Sequence, residues 1–217
     1  MKPVGIARSG ERLSVLCIGA HSDDIEIGCG GALIRLVNMN PDLLITWVVF
    51  TANGAREVEA RDSARRLMED APGLDVRVER FREGYFPYVG ASVKEAFDLL
   101  GREVSPDLVF THAGDDRHQD HRLVSELTWN TFRDHLILEY EIPKYDADLS
   151  SPNVFVRLDR EICERKVGHL LQAFPSQFEK PWFSEETFWA TLRLRGVESR
   201  SITGYAEGFH CRKLVIG

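Results

Sequence analysis

Gly19-Ala20-His21-Ser22-Asp23-Asp24-Ile25-Glu26-Ile27-Gly28-Cys29-Gly30-Gly31 is the stretch on which the reading of this chain turns. A short apolar run, Leu13 to Ile18, precedes it and reads as a buried strand; its closing glycines open a helical pattern from Gly30. The stretch is therefore a strand-to-helix loop, which in α/β proteins lies at the carboxyl edge of the sheet, where ligands bind. The glycines do not fit G-x-G-x-x-G, and carboxylates at 23, 24 and 26 would repel a pyrophosphate, so a dinucleotide site is disfavoured. A cation suits the loop better. His21 offers a ring nitrogen, and Asp24, three residues on, can turn an oxygen toward the same point.

The 217 residues are enough for one large domain, and 43% hydrophobic with 28% charged is ordinary for a soluble globule. A net charge of −7 supplies no basic field for nucleic acid or anionic membrane, so small molecules are the expected ligands. Met1 to Leu13 carries charges and no long apolar core, which reads as neither leader nor anchor and places the protein in the cytoplasm. Cys17, Cys29, Cys163 and Cys211 form no C-x-x-C pair and are expected to be reduced thiols.

Downstream, a helix over Gly30 to Met39 and a β-branched strand over Leu43 to Thr51 complete a β-α-β unit. A helix from about Arg56 to Met68, a strand from Leu74 to Phe81, a helix from Val93 to Val104 and a strand at Leu108 to Thr111 follow. This alternation predicts a Rossmann-like, doubly wound, mostly parallel sheet with helices on both faces. From Leu136 the rhythm changes: a strand to Ile142, a polar loop at Lys144 to Pro152, a strand at Val154 to Val156, helices at Arg160 to Phe174 and Glu185 to Leu194, and a last strand near Phe209 to Ile216. With no repeat or linker between the halves, the second reads as a carboxyl-terminal elaboration of a single domain spanning 1–217.

After the fourth strand comes His112-Ala113-Gly114-Asp115-Asp116-Arg117-His118-Gln119-Asp120-His121-Arg122. His118 and His121, three apart at a helix start, face the same side. In the common doubly wound orders the first and fourth strands are neighbours, and their loops splay apart to form the binding crevice. The loop with His21, Asp23 and Asp24 and the loop with His118, Asp120 and His121 are thus expected at one place. His112 reads as packed, and Asp23, Asp24 and Asp120 taken singly could merely stabilise helix starts.

Ala20-His21-Ser22-Asp23-Asp24 with Gly28-Cys29-Gly30-Gly31, together with His118-Gln119-Asp120-His121, closely resemble the two signatures of the LmbE-like (PIG-L) metal-dependent N-deacetylases. Weaker likeness covers Arg56 to Leu67 and Tyr205-Ala206-Glu207-Gly208-Phe209. Ser22 departs from the family's usual proline, from which only a small change in loop stiffness is expected. The resemblance implies one zinc per chain, or another divalent ion such as Fe2+, held by His21, Asp24 and His121. It implies Asp23 as general base toward a zinc-bound water, His118 as stabiliser of the oxyanion, and Asp120 as the acid that orients an imidazole. Either Asp23 or His118 then protonates the leaving amine. Arg56 resembles a residue that contacts substrate hydroxyls, against the ordinary reading of a helix-start arginine paired with Glu57 or Glu59. Glu83-Gly84 stands where the family tends to have Asp-Gly, with Glu83 as a candidate substrate contact. Tyr85, Phe86, Tyr88, Trp182 and Trp189 could form a sugar platform, although core packing is their commoner role.

The function expected from these residues is removal of an N-acetyl group from an amino sugar of the N-acetylglucosamine type or its conjugate, and relatives often assemble into trimers or hexamers. The alternatives are hydrolysis of another acyl amide, such as an antibiotic or thiol-glycoside precursor, and a metal-binding module without catalysis. A pure binder would need the ligands but not Asp23 and His118.

Overall fold

The computed structural model describes Gly5 and residues 12–215, so most of the amino-terminal stretch lies outside the described residues, as does Ile216 at the end of the expected last strand. The strands are β1 (Ser14–Gly19), β2 (Leu44–Val49), β3 (Gly73–Val78), β4 (Leu108–His112), β5 (Leu136–Tyr140), β6 (Val154–Leu158) and β7 (Tyr205–His210). The helices are α1 (Asp24–Met39), α2 (Ala55–Leu67), α3 (Gly90–Glu103), α4 (Gln119–Thr131), α5 (Arg160–Ala173) and α6 (Glu185–Glu198). One sheet runs β3-β2-β1-β4-β5-β7-β6; the first five strands are parallel, and β7 is antiparallel to both β5 and β6. The doubly wound, mostly parallel α/β architecture read from the sequence is the one the chain adopts.

Burial on both faces explains the continuous apolar strands. Along β1, Val15 and Cys17 enter the core under α1, α2, α5 and α6, while Leu16 and Ile18 enter a second core under α3 and α4. In β2, Ile45, Trp47 and Val49 share the first core and Val48 the second. The chain leaves β1 toward β2 and β3 on one side and resumes at β4 on the other, which puts the switch point between β1 and β4.

Several boundaries shift by a few residues, and two elements differ more. Helix α1 begins at Asp24, not Gly30. Glycine is a poor helix former, which made the Gly28 to Gly31 run look like loop, but close packing overrides propensity here. A Cβ at Gly28 would fall inside the Tyr140 ring, and one at Gly31 would overlap Leu158 and Glu207. The last strand occupies Tyr205–His210 and not the expected Phe209 to Ile216: its pairing with β6 runs from Tyr205 to Phe209 and with β5 only through Phe209 and His210.

Glu207 of β7 accepts from the N–H groups of Gly31 (2.8 Å) and Ala32 (2.7 Å), and Lys166 of α5 donates to Ile27 O and Glu207 Oε1, each at 2.6 Å. A buried ion pair thus stitches the carboxyl-terminal half to α1, and it is where the Tyr205 to Phe209 motif does its structural work. The four cysteines are free, and no described helix is long and apolar enough to cross a membrane.

The glycine packing separates two substitutions of identical chemistry. Gly28→Ala should destabilise by about 1–3 kcal/mol or more through overpacking against Tyr140. Gly30→Ala, whose Cβ meets Leu67 and Lys166 at ordinary contact distance, should be neutral or gain a few tenths of a kcal/mol from helix propensity. Urea unfolding of both variants checks the contrast; equal losses would refute it.

Candidate active site

The loops after β1 and β4 meet at the switch point. His21 Nδ1 stands 3.0 Å from His121 Nε2, across 100 residues of sequence. Asp24, the first residue of α1, lies beside both: its Oδ2 is 3.4 Å from His21 Nδ1 and its Oδ1 is 3.6 Å from His121 Nε2. Ligands of one ion with bonds of ~2.1 Å lie about 3.0–3.4 Å apart; the His21–His121 pair meets this, and Asp24 flanks the two rings with a different oxygen toward each. The triads of side chains that could hold an ion are His21 with His118 and His121, and Asp24 with His112 and His121. The Nε2 of His112 is engaged, however, receiving the Ala20 N–H at 3.0 Å with the Tyr140 hydroxyl 3.2 Å away. His118 is the N-cap of α4 and its Nδ1 accepts from Asp120 N (3.3 Å), which leaves Nε2 carrying the proton of the neutral ring. Its ring lies 4.8 Å from that of His21 and 4.5 Å from that of His121.

Each of the two facing imidazoles is held from behind by a carboxylate, the arrangement that fixes orientation and tautomer at metal centres. Asp120 Oδ2 lies 3.3 Å from His21 Nε2, and Asp116 Oδ2 lies 2.9 Å from His121 Nδ1. Asp120 is fully buried and also accepts from Gly84 N (2.6 Å) and Phe86 N (3.1 Å). It therefore pins the segment after β3 against the site. Gly84, at φ 77°, supplies the left-handed turn this requires.

Asp23 is engaged by Arg56. Its Oδ1 accepts from Arg56 Nη2 at 3.2 Å, while Arg56 Nη1 reaches Glu83 Oε2 (2.6 Å) and Arg56 Nε reaches Ser22 Oγ (3.1 Å). Ser22 thus gives the guanidinium an acceptor where the usual family proline would offer none. Of the aromatic candidates, Phe86 is buried and Trp182 and Trp189 pack on the core, while Tyr85 and Tyr88 are exposed.

Electrostatics separates the adjacent acids. Burial and the charge of Asp24 lift the Asp23 carboxyl above its ordinary range, with Arg56 opposing. For Asp24, burial pushes upward but is outweighed by His121, His112 and His21, which hold it well below the usual carboxylate value. Burial disfavours a charged His21, yet Asp24 and Asp120 overcome it and raise the ring to about 10. His121 is driven down to about 3, chiefly by burial and by His112. The two facing rings are thus displaced in opposite directions, and a cation binding there would compete with protons for their nitrogens.

A family model described as PIG-L, GlcNAc-PI de-N-acetylase, matches residues 16–132, more than half of the chain. The chain belongs to the PIG-L family. It is 28% identical over 177 residues to the uncharacterized deacetylase YaiS of Escherichia coli K12, covering 76% of this chain and 92% of that one. Two solved structures share the fold. N,N'-diacetylchitobiose deacetylase from Pyrococcus horikoshii is 22% identical with a TM-score of 0.64, covering 91% of this chain and 83% of that one. GalB, the 4-carboxy-2-hydroxymuconate hydratase of Pseudomonas putida KT2440, is 18% identical with a TM-score of 0.72, covering 94% and 98%.

From the sequence Asp116 and Glu26 carry no assigned role, and His112 reads as packed although it comes straight after a strand and could reach the crevice. Asp116 sits in the second loop, but its spacing to His121 carries no recognisable period. His112, read as packed, is packed, and its Nε2 also lies 3.1 Å from Asp24 Oδ2. Glu26 is fully buried behind the two aspartates: one oxygen meets the Ser63 hydroxyl, which lies 2.8 Å from His169 Nε2, and Oε2 has no partner among the described residues.

Burial lifts the Glu26 carboxyl to about 8, with the Ser63 hydrogen bond opposing. Its folded value lies above the unfolded 4.5, so its contribution is intact at low pH and is lost as pH rises toward about 8. Glu26→Gln should accordingly raise Tm at about pH 8.5 and do so much less near pH 5. Thermal melts at the two pH values check this, and a pH-independent difference would contradict it.

Proposed function

We propose that this chain is a metal-dependent hydrolase that removes the acetyl group from an N-acetylated amino sugar or its conjugate, acting as a soluble cytoplasmic enzyme. The observation that carries this reading is the division of labour between adjacent acids: Asp24 faces His21 and His121, while Asp23 pairs with Arg56 and has an opposite pKa displacement. Neighbouring carboxyls whose environments push them apart mark a ligand beside an acid–base group. His21, Asp24 and His121 would hold the ion, with zinc favoured by the N2O donor set. Bound there, zinc would supply Lewis acidity, polarising the acyl carbonyl and bringing the pKa of water toward ~7.

The chain's own groups supply the rest. Asp23 takes a proton from the attacking water through Oδ2, the oxygen that Arg56 leaves free. The neutral His118 ring, its pKa lowered mainly by burial and by the charge of His21, donates an Nε2–H hydrogen bond to the carbonyl oxygen as it becomes negative. A neutral imidazole is a weak proton source, so Asp23 returns its proton to the amine nitrogen as the C–N bond breaks, giving acetate and free amine. Arg56 holds Asp23 in place and, with Glu83, forms the rim that meets sugar hydroxyls.

The deacetylase neighbour supports the amide reading, since it acts on N,N'-diacetylchitobiose, an N-acetylated sugar. GalB shows that the same fold also hosts hydration, a reaction that would use water activation without C–N cleavage. Release of free amine from an N-acetylglucosaminide, measured beside water addition to a dienoate, decides between the two.

Asp23→Asn should retain the ion and lose roughly 10²–10⁴-fold in turnover, whereas Asp24→Ala should lose the ion as well. Elemental analysis of the purified variants tests the assignment, and an empty site in Asp23→Asn would exchange the two roles.

Arg56→Ala should leave the metal content unchanged while kcat/KM falls roughly 10–150-fold, the worth of a charged hydrogen bond of about 1.5–3 kcal/mol. Since Arg56 lowers the pKa of Asp23, its removal should also move the acidic limb of the pH–rate profile upward. Normal kinetics with an unmoved limb would return Arg56 to a surface role.

A further inference from the structure

Behind His121 the hydrogen-bond chain does not stop at Asp116. Asp116 Oδ1 accepts from His118 N at 2.8 Å, and its Oδ2, which faces His121 Nδ1, is also 3.0 Å from Lys144 Nζ. Lys144 stands at the start of the connection between β5 and β6, a segment outside both sequence signatures. The same ammonium donates to Asp148, which in turn accepts the Arg117 N–H at 2.7 Å. The side chains of Lys144, Asp116 and Asp148 are 9%, 3% and 5% exposed. This is not a solvated surface pair, whose worth would be small. Within the segment Ala147 takes φ 52°, the left-handed region that favours glycine. Such strain persists where surrounding contacts over-determine the backbone, and the Lys144 to Asp148 and Asp148 to Arg117 bonds are those contacts.

We propose that Lys144 is a positioning residue for His121: acting through Asp116, it fixes the carboxylate that orients the imidazole, and so aims Nε2 at the shared cation point. Oδ2 of Asp116 serves two donors, and only the lysine comes from outside the loop that carries His121. Without it the carboxylate keeps the His118 N–H on its other oxygen but loses the anchor that sets its rotation. The ammonium also offsets the buried negative charges of Asp116 and Asp148, which otherwise face each other across Lys144. The carboxyl-terminal half is thereby part of the first half's metal geometry. This inference rests on the reading that His121 ligates an ion, and it assigns the hold on that ligand to a residue the reading does not use.

The test uses the full chain, with zinc affinity measured by competition with a chromophoric chelator and geometry read from the visible absorption of the cobalt-substituted protein. Lys144→Met should weaken zinc binding about 10-fold and shift the cobalt bands; Asp116→Asn should weaken it about 10–100-fold, the usual range for groups supporting a ligand. Because Lys144 acts through Asp116, the double variant should be no weaker than Asp116→Asn alone. Lys144→Arg, which keeps a donor to Oδ2, should recover most of the loss. Should Lys144→Met fail to fold by its melting curve, Asp148→Asn, which frees Lys144 from its other anchor, should weaken zinc binding in the same direction. Wild-type zinc affinity and cobalt bands in Lys144→Met, or in Asp148→Asn where that variant decides, overturn the inference, as does an additive double variant. A wild-type chain that binds no zinc overturns the metal reading itself, and this inference with it.

Discussion

Two nitrogen atoms a hundred residues apart, Nδ1 of His21 and Nε2 of His121, meet at 3.0 Å, and the rest of the structure is arranged so that they do. Their loops follow β1 and β4, which are hydrogen-bonded neighbours only because the chain winds outward from β1 in one direction and returns to start the other. A sheet of this kind leaves its crevice at the carboxyl ends of those two strands. The loops alone would not set the distance. Asp120 and Asp116 reach the far nitrogens of the two rings, and each acid is in turn tied to backbone N–H groups, so neither imidazole is free to rotate.

Crowding several acids and imidazoles into one dry cleft would be costly if each kept its ordinary charge. The arrangement resolves this by pairing. Asp24 stays ionised against three imidazoles, Asp120 against the His21 ring and two backbone donors, Asp116 against the His121 ring, one backbone donor and Lys144, and Asp23 pairs with Arg56. A cation between His21 and His121 would compete with protons for the same ring nitrogens. Metal affinity and the stability of the free cleft are therefore two readings of one charge balance. Glu26 is the acid this balance leaves out: fully buried, it has one oxygen on Ser63, and the other has no partner among the described residues.

The fold was legible because a doubly wound sheet writes itself as apolar runs alternating with helical spacing, and both faces of β1 and β2 are buried. The site was legible where chemistry-bearing residues stand close in sequence, as in His21 to Asp24 and His118 to His121. Three features escaped for physical reasons. The start of α1 was misplaced because glycine propensity argues for loop while Tyr140 and Glu207, distant in sequence, demand the missing side chains. Arg56 was legible as a residue at the sheet edge, but its grip on Asp23, Ser22 and Glu83 depends on three separate loops converging. Lys144 lies in a polar loop whose composition says only that it is exposed, and its burial follows from tertiary packing alone.

The carboxyl-terminal half does more than widen the sheet. Tyr140 of β5 fills the space that Gly28 leaves open, and its hydroxyl donates to Ile18 O at 2.7 Å, tying β5 to the end of β1. Glu207 and Lys166 grip α1 one to two turns beyond Asp24, at backbone groups rather than side chains. The position of the first turn of α1, and with it the direction of Asp24, is thus set by residues from β5, α5 and β7. A second buried pair, Arg195 with Glu141 at 2.8 and 2.9 Å, joins α6 to the segment just after β5 and also binds Ser150 O in the loop that begins with Lys144. Removing one member of such a pair leaves an uncompensated charge costing about 3–5 kcal/mol. These pairs act as fixed rivets, and their alignment along α1, β5 and β7 explains how a half with neither metal-ligand signature can govern the geometry of the half that has both.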